Sequence, residues 1–389
     1  VFIDGIFGTG FTGVLNETIN GLFTFINQRA ATLYALDIPS GIEANDGIHN
    51  SVCLQATYTI VFAAYKPAHA LVSLKKIFGK IIVVDIGIDK EFIAKLAEPL
   101  YVTTEQEFFN MLKKRPLNSY KGLFGKLLCY CGSISMLGAA TIATKAAYRT
   151  GAGLVYTTVP EQYATNLTEQ IPEAIAVPLL QNHNHNDFGF NYKKLFSKLP
   201  EISAALIGCG LSQDIATKRL VNQIIREFDV PYVLDAEALN ILSENPHILL
   251  EKQTSDVIIT PHFGEMARLI DQPIEYVQKE KFAVAKRFAE DYQVFVVLKG
   301  STTIIATPSG ELYLNNTGNP GLAKAGSGDA LAGTIAAFLA QGKSALEAAQ
   351  LGVYLHGAAA DATLEKTGEY AMMITDVLEA YGNILSLEN

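Results

Sequence analysis

The sequence lacks a basic excess: 30 Lys and Arg face 39 Asp and Glu, giving a net charge of −9 over 389 residues. A phosphate polymer selects a positive surface, so no nucleic-acid partner is expected, although a single nucleotide needs only a local anion site. It lacks any apolar run of bilayer length, because Lys and Asp keep interrupting, so no membrane partner is expected either. It lacks a leader pattern too, opening on the strand-like Val1-Phe-Ile-Asp4. That opening has no Met and falls inside a folded pattern, so upstream sequence is expected. Cysteine is scarce, and Cys53, Cys129, Cys131 and Cys209 make no disulfide framework. Cys129 and Cys131, two apart in a strand-like run, share a sheet face and read as small apolar residues rather than zinc ligands. His183 and His185, in Asn182-His-Asn-His-Asn-Asp187, read as a polar loop, with surface metal binding the alternative. Internal repeats and low-complexity tracts are missing. Cytoplasm is the expected compartment.

What is present is an apolar, weakly charged chain, 49% hydrophobic and 18% charged, long enough for two domains. Residues 1–7, 32–38, 56–63 and 80–86 are β-rich, and 15–27 has helical apolar spacing. Continuous apolar strands alternating with helices or loops predict a parallel sheet covered on both faces. A first domain is read over 1–100, a charged linker broken by Pro116 over 101–119, and a second domain over 120–389. In the second, strands are predicted at 126–131, 154–159, 204–207, 232–234, 257–260, 294–298 and 303–306. Helices are predicted at 139–150, 215–228 and 273–290, and two more, 330–340 and 345–364, close the chain. This alternation favours one open α/β domain with a mostly parallel sheet. Ligands in such sheets bind beyond the carboxyl ends of the strands. Gly208-Cys-Gly210, Asp235, His262 and Lys299-Gly300 all follow predicted strands and are expected along one edge. Apolar helices allow subunit burial, and a homo-oligomer is expected.

The densest signal is Asn316-Thr-Gly-Asn-Pro-Gly-Leu-Ala-Lys-Ala-Gly-Ser-Gly-Asp-Ala-Leu-Ala-Gly333. It sets a glycine-rich loop, Gly326-Ser327-Gly328, and one carboxylate, Asp329, directly before an apolar helical stretch. Free N–H groups at a helix start favour an anion. A carboxylate there suits taking a proton or orienting a hydroxyl, whereas its plainer reading is a helix cap. Lys299-Gly300-Ser301-Thr302-Thr303 offers a cation and hydroxyls fit for phosphate or ribose oxygens, or else a solvated turn. His262, in Thr260-Pro-His-Phe-Gly-Glu265, reads as a ligand contact or a helix-cap histidine. Gly132-Ser-Ile-Ser-Met-Leu-Gly-Ala139 is a small-residue loop entering a helix.

From about residue 120 the chain resembles the ADP/ATP-dependent NAD(P)H-hydrate dehydratases of the ribokinase-like superfamily. The resemblance rests on Ser119-Tyr-Lys-Gly-Leu-Phe-Gly125, Gly132-Ser133, Met136-Leu-Gly-Ala139, Tyr148-Arg-Thr-Gly-Ala-Gly-Leu154 and Pro172-Glu173. It continues through Gly208-Cys-Gly210, Leu234-Asp-Ala236, Thr260–Glu265, Lys299-Gly-Ser301 and Asn319–Gly333. It implies dehydration of the S-hydrate of NADH or NADPH driven by ADP or ATP with Mg2+, ADP being favoured. It further implies Asp329 as the catalytic group, with Ala139, Gly210, His262 and Asp329 on the hydrate. Lys299, Gly300, Ser301, Thr302, Thr303, Gly326, Ser327 and Gly328 would contact the nucleotide.

In the first domain, Gly8-Thr9-Gly10-Phe11-Thr12-Gly13-Val14 follows a strand, and Asp37-Ile-Pro-Ser40-Gly41 follows the next. Together they resemble the NAD(P)H-hydrate epimerase domain, a part of a Rossmann-like α/β domain. The resemblance implies that Asp4 and Ser40 hold potassium, that Gly8–Val14 and Asp37 bind the hydrate, and that Asp37 is the acid/base group. The family's upstream portion, with its Asn-rich turn, has no counterpart before Val1, so a fragment or a weak epimerase is expected. Two rivals stay open: a ribokinase-like small-molecule kinase, and a nucleotide-binding module without turnover.

Overall fold

The computed structural model describes residues 1–47, 49–89, 91–92, 100–179 and 201–386. His183 and His185 lie outside them. The chain divides into two compact units, Val1–Val102 and Thr103–Asn389.

Among the described residues of the first unit, β1 (Phe2–Asp4), β2 (Leu33–Leu36), β3 (Tyr58–Phe62) and β4 (Lys80–Val84) form one sheet in the order 1-2-3-4. Every pair is parallel, as the uninterrupted apolar strands predict. The helix Glu17–Asn27 starts where Asn16 accepts the Ile19 N–H, and it buries Phe23 against Leu33, Ala35 and Leu54.

Among the described residues, the large sheet has ten strands in the order β5-β14-β13-β12-β11-β10-β9-β6-β7-β8. These are β5 (Leu100–Val102), β6 (Lys126–Tyr130), β7 (Leu154–Pro160), β8 (Ile175–Leu179), β9 (Ala204–Ile207), β10 (Tyr232–Leu234) and β11 (Val257–Ile259). The remaining three are β12 (Phe295–Leu298), β13 (Thr303–Ala306) and β14 (Leu312–Asn315). From β8 to β12 the neighbours pair in parallel, and β13 then runs antiparallel to both of its partners. The order reverses between β6 and β9, which makes their carboxyl ends a topological switch point. The helix Ser327–Ala340, buried from Ala330 onward, runs through the core and packs on β9, β10 and the helix Leu137–Thr150. Gly333 permits that crossing, since a Cβ there would collide with the Ala143 backbone. No helix among the described residues is long and apolar enough to cross a membrane.

Three expectations need correction. The stretch read as a linker, 101–119, supplies the end of edge strand β5 and the helix Glu105–Met111, whose Phe108 is fully buried and stacks on Tyr354 at 4.7 Å. Its charges lie on the outer face of an amphipathic turn, and the capping box of Thr104 and Glu107 starts it. The single helix read over 273–290 is two, Ile274–Lys279 and Lys281–Tyr292, broken at Glu280. The chain closes on one helix more than expected, Ile374–Leu385, and the preceding helix runs to Ala371 through a non-helical Gly368.

Candidate active site

Strand ends, helix starts and one glycine turn converge at the switch point. Beyond β6, the Gly132 N–H donates to the Cys209 carbonyl at 2.8 Å, tying the loop after β6 to the loop after β9. Gly210 (φ 66°) sits so close to the helix entered from Met136 that a Cβ would lie 2.7 Å from the Ala139 Cβ and 2.7 Å from the Met136 carbonyl. Ala139 and Gly210 are thus brought together. Gly326 (φ 91°) turns the chain into the helix Ser327–Ala340, which places Asp329 in its first turn.

Asp329 faces a buried set of polar groups. One ligand-type atom each from Cys209, Asp235 and Asp329 lies within 4.8 Å of the others. Lys299 Nζ is 2.6 Å from Asp235 Oδ1 and 3.8 Å from Glu265 Oε2, while Thr260 Oγ1 donates to Asp235 Oδ1 at 2.7 Å. The Cys209 thiol approaches Asp235 Oδ2 at 3.6 Å. Gly328 passes over this pair; a Cβ there would stand 3.3 Å from Lys299 Nζ. Burial, then the charge of Asp235, pushes the Asp329 carboxyl up to about 6, against a smaller pull downward from Cys209 and Lys299. Burial would lower Lys299, but Asp235 and Glu265 hold its ammonium above the ordinary lysine range. Burial also raises Glu265.

His262 caps the helix Phe263–Leu269. Its Nδ1 accepts the Gly264 N–H at 2.9 Å and the Glu265 N–H at 3.2 Å, and its backbone N–H donates to Glu265 Oε2 at 2.7 Å. An Nδ1 that accepts twice leaves the proton on Nε2, and burial followed by Lys299 and Arg268 lowers the ring's basicity. The cap reading and a ligand contact coexist, because the side chain stays half exposed. In 299–303, Thr302 is buried, Ser301 is exposed and Thr303 opens β13.

Sequence reasoning leaves Cys209, Thr260 and Glu265 without roles and gives Asp235 only a strand-end position. Their common signal is placement one or two residues beyond β9, β11 or β10, and Glu265 at the third position of a capped helix. Cys129 and Cys131 pack as expected, fully buried in the main core, and Cys209 is buried there too. The Cys209, Asp235 and Asp329 set does not fit magnesium, because a thiol is a soft ligand and Lys299 already neutralises Asp235.

In the first unit, Ser40 Oγ donates to Asp4 Oδ1 at 2.6 Å and Ser40 N to Asp4 Oδ2 at 2.7 Å, both residues being buried. With the Phe7 carbonyl 3.5 Å from Ser40 Oγ, the donor set is all oxygen, which fits a hard cation such as potassium. Asp37 holds a positive φ of 65°, rare for a non-glycine residue and a mark of imposed geometry. Its Oδ1 takes Lys66 Nζ at 2.5 Å and the Phe62 N–H at 3.0 Å, while its carbonyl meets His69 Nε2 at 2.8 Å. An open cavity of about 510 Å3 is lined by Phe7, Gly8, Gly10, Phe11, Thr12 and Val14 with Ile6, Leu15, Asn16 and Ile19. Thr9, Gly13 and Asp37 lie outside that lining, with Gly13 N–H donating to Glu43 at 3.0 Å.

Comparison with known proteins matches two families in chain order. Residues 127–382 match the model described as NAD(P)H-hydrate dehydratase, and residues 1–68 match the one described as YjeF-related protein N-terminus. A bifunctional NAD(P)H-hydrate repair enzyme of Moorella thermoacetica is 37% identical over 377 residues, 97% of this chain and 71% of that protein. An ADP-dependent (S)-NAD(P)H-hydrate dehydratase of Neisseria meningitidis is 37% identical over 267 residues, 68% of this chain and 86% of that protein. Among solved structures, an ADP/ATP-dependent NAD(P)H-hydrate dehydratase of Bacillus subtilis, co-crystallised with ATP and Mg2+, aligns with a TM-score of 0.64 at 30% identity. The alignment covers 74% of this chain and 99% of that one.

Proposed function

The chain belongs to the NAD(P)H-hydrate dehydratase family in its bifunctional, repair-enzyme form, and from that premise we propose that its second unit restores NADH or NADPH from the S-hydrate at the expense of ADP. The observation that carries the reading is Asp329: a carboxyl near pKa 6 in the first turn of a glycine-led helix, beside the Lys299–Asp235 pair. Hydroxide is a poor leaving group at neutral pH, so the hydrate needs its hydroxyl converted to a phosphate ester. Asp329, ionised near neutrality, takes the hydroxyl proton as that oxygen attacks the terminal phosphorus of the nucleotide, and AMP leaves. The N–H groups of the Gly326–Gly328 turn stabilise the charge on the phosphoryl group in flight. The C–O bond then breaks, pushed by the ring nitrogen lone pair; phosphate departs, and loss of a proton from the neighbouring carbon restores the ring double bond.

Ala139 and Gly210, pressed together, and the half-exposed His262 form the hydrate side of the site. The turn after β12, 299–303, forms the nucleotide side, with Lys299 acting through Asp235. Magnesium enters with the nucleotide phosphates and needs no cluster of its own. In the first unit, Asp37 serves as acid/base group for interconverting the R and S hydrates over the Gly8–Val14 turn, with potassium on Asp4 and Ser40. Four free, buried thiols are at home in a reducing cytoplasm. A homo-oligomer would give exposed apolar residues such as Leu117 and Tyr370 a surface to bury them against, and sedimentation reads the state directly.

Product analysis tests the reading against a kinase. Purified chain with S-NADH-hydrate and Mg-ADP should yield AMP, phosphate and NADH in equal amounts. An accumulating phosphorylated alcohol would identify a kinase instead, and nucleotide binding without products a regulatory module.

A further inference from the structure

A chain of four side-chain hydrogen bonds runs from the glycine turn into the core, and its protons are countable. Ser327 Oγ lies 3.1 Å from His356 Nε2, His356 Nδ1 lies 2.9 Å from Tyr381 OH, and Tyr381 OH lies 2.9 Å from Thr334 Oγ1. At the far end Thr334 Oγ1 sits 2.8 Å from the Ala330 carbonyl. A carbonyl only accepts, so all four contacts are hydrogen bonds together only when the Thr334 proton goes to Ala330. Tyr381 must then donate to Thr334, and its oxygen accepts from His356 Nδ1–H. His356 Nε2 is left bare, and Ser327 donates its proton to it. His356 and Tyr381 are buried, 4% and 0% exposed, so water cannot supply an alternative partner. Burial also pushes His356 down to about 4, so the ring is neutral and holds one proton.

We infer that His356 is a positioning residue which, as its Nδ1–H tautomer, fixes Ser327 with its hydroxyl proton turned inward and so holds the Gly326–Asp329 turn in its anion-receiving shape. The turn therefore meets an anion with backbone N–H groups, and Ser327 offers its phosphate neighbour no proton. This deepens the proposed dehydratase site and rests on that reading for its kinetic arm only.

Long-range 15N–1H spectra of the full chain labelled in its histidines, seven in all, read the tautomer without any turnover. The His356 signals, assigned by their loss in His356→Gln, should show a protonated Nδ1 and a bare Nε2 in the wild type. Tyr381→Phe should invert this, because Nδ1–H would lose its acceptor and the ring would donate through Nε2 to Ser327. A protonated Nε2 in the wild type overturns the inference. For the kinetic arm, an isolated donor of an anion hole is worth about 100-fold or more in kcat, and a displaced turn should cost about tenfold. His356→Asn, too short to reach Ser327, should show that loss with little change in KM for ADP. His356→Gln, whose amide oxygen can accept from Ser327, should recover most of it. Wild-type turnover in a folded His356→Asn chain overturns the positioning role. A wild type without turnover would sink the dehydratase reading instead, and the tautomer would still decide this one.

Discussion

The Lys299 ammonium, just past β12, sits 2.6 Å from the Asp235 carboxylate, just past β10 with β11 between the two strands, and 3.8 Å from Glu265. A cation that the sequence suggests for phosphate is thereby committed to carboxylates, and it balances Asp235 so that Asp329 can keep its own charge nearby. Breaking one partner of such a pair leaves an uncompensated buried charge, typically about 3–5 kcal/mol. Lys299→Met should therefore lower the unfolding free energy by that order and abolish turnover. Lys299→Met combined with Asp235→Asn should restore most of the stability and none of the activity, as denaturant titration and rate assays would record.

Asp329 trades stability for chemistry. Its folded pKa, about 6, stands above the ordinary value of roughly 4, so the folded state binds this proton more tightly than the unfolded chain. Its contribution favours folding fully below that ordinary value and is lost as pH rises through about 6. At pH 8 the ionised carboxylate costs the fold about 1–2 kcal/mol after allowing for partial exposure. Asp329→Asn should thus melt higher than the wild type by roughly 2–4 °C at pH 8 and by nothing near pH 4. The wild-type rate should fall on the acid side of pH 6 as the base is protonated.

His262 carries two jobs that substitutions separate. His262→Asn keeps a cap acceptor and His262→Ala does not, so Ala should cost about 1 kcal/mol more stability. Both should raise KM for the hydrate. Equal melting of the two variants would refute the cap.

Gly210 stands at positive φ with the Ala139 Cβ in its way. Gly210→Ala should destabilise the second unit by about 1–3 kcal/mol. It should also weaken hydrate binding more than nucleotide binding, as calorimetry with each ligand would separate.

Much of this architecture is legible in the amino-acid sequence alone. The strands at 204–207, 232–234 and 303–306 coincide with β9, β10 and β13, because each is an apolar run ended by Gly, Asp or a turn. β8 is illegible there because Pro178 interrupts its apolar run, and β14 because only three apolar residues, Leu312, Tyr313 and Leu314, precede Asn315. The helix Phe263–Leu269 is legible through His262, which follows an apolar strand and reads as a helix-cap histidine as well as a ligand contact. Asp329 and its glycine turn stand out because a carboxylate after Gly-Ser-Gly is unusual chemistry. Asp235 does not, since its meaning lies in Lys299, a partner 64 residues away. His356 falls in the helix predicted over 345–364 and Tyr381 in a helix the sequence reading does not contain, and only the fold joins them to Ser327.

In the first unit, Asp4 and Ser40 should make epimerisation potassium-dependent while leaving dehydration of pure S-hydrate untouched. Asp4→Asn should erase the potassium response; proton NMR of the R and S hydrates follows it. A potassium effect that survives this change would place the ion elsewhere.

The most direct measurement is recovery of dihydronicotinamide absorbance from S-NADH-hydrate with Mg2+ and ADP, ATP or no nucleotide, for the wild type and Asp329→Asn. Nucleotide-dependent recovery in the wild type that vanishes in a folded Asp329→Asn chain is the predicted result, with ADP the better donor. Recovery without nucleotide, or undiminished in Asp329→Asn, would contradict the account.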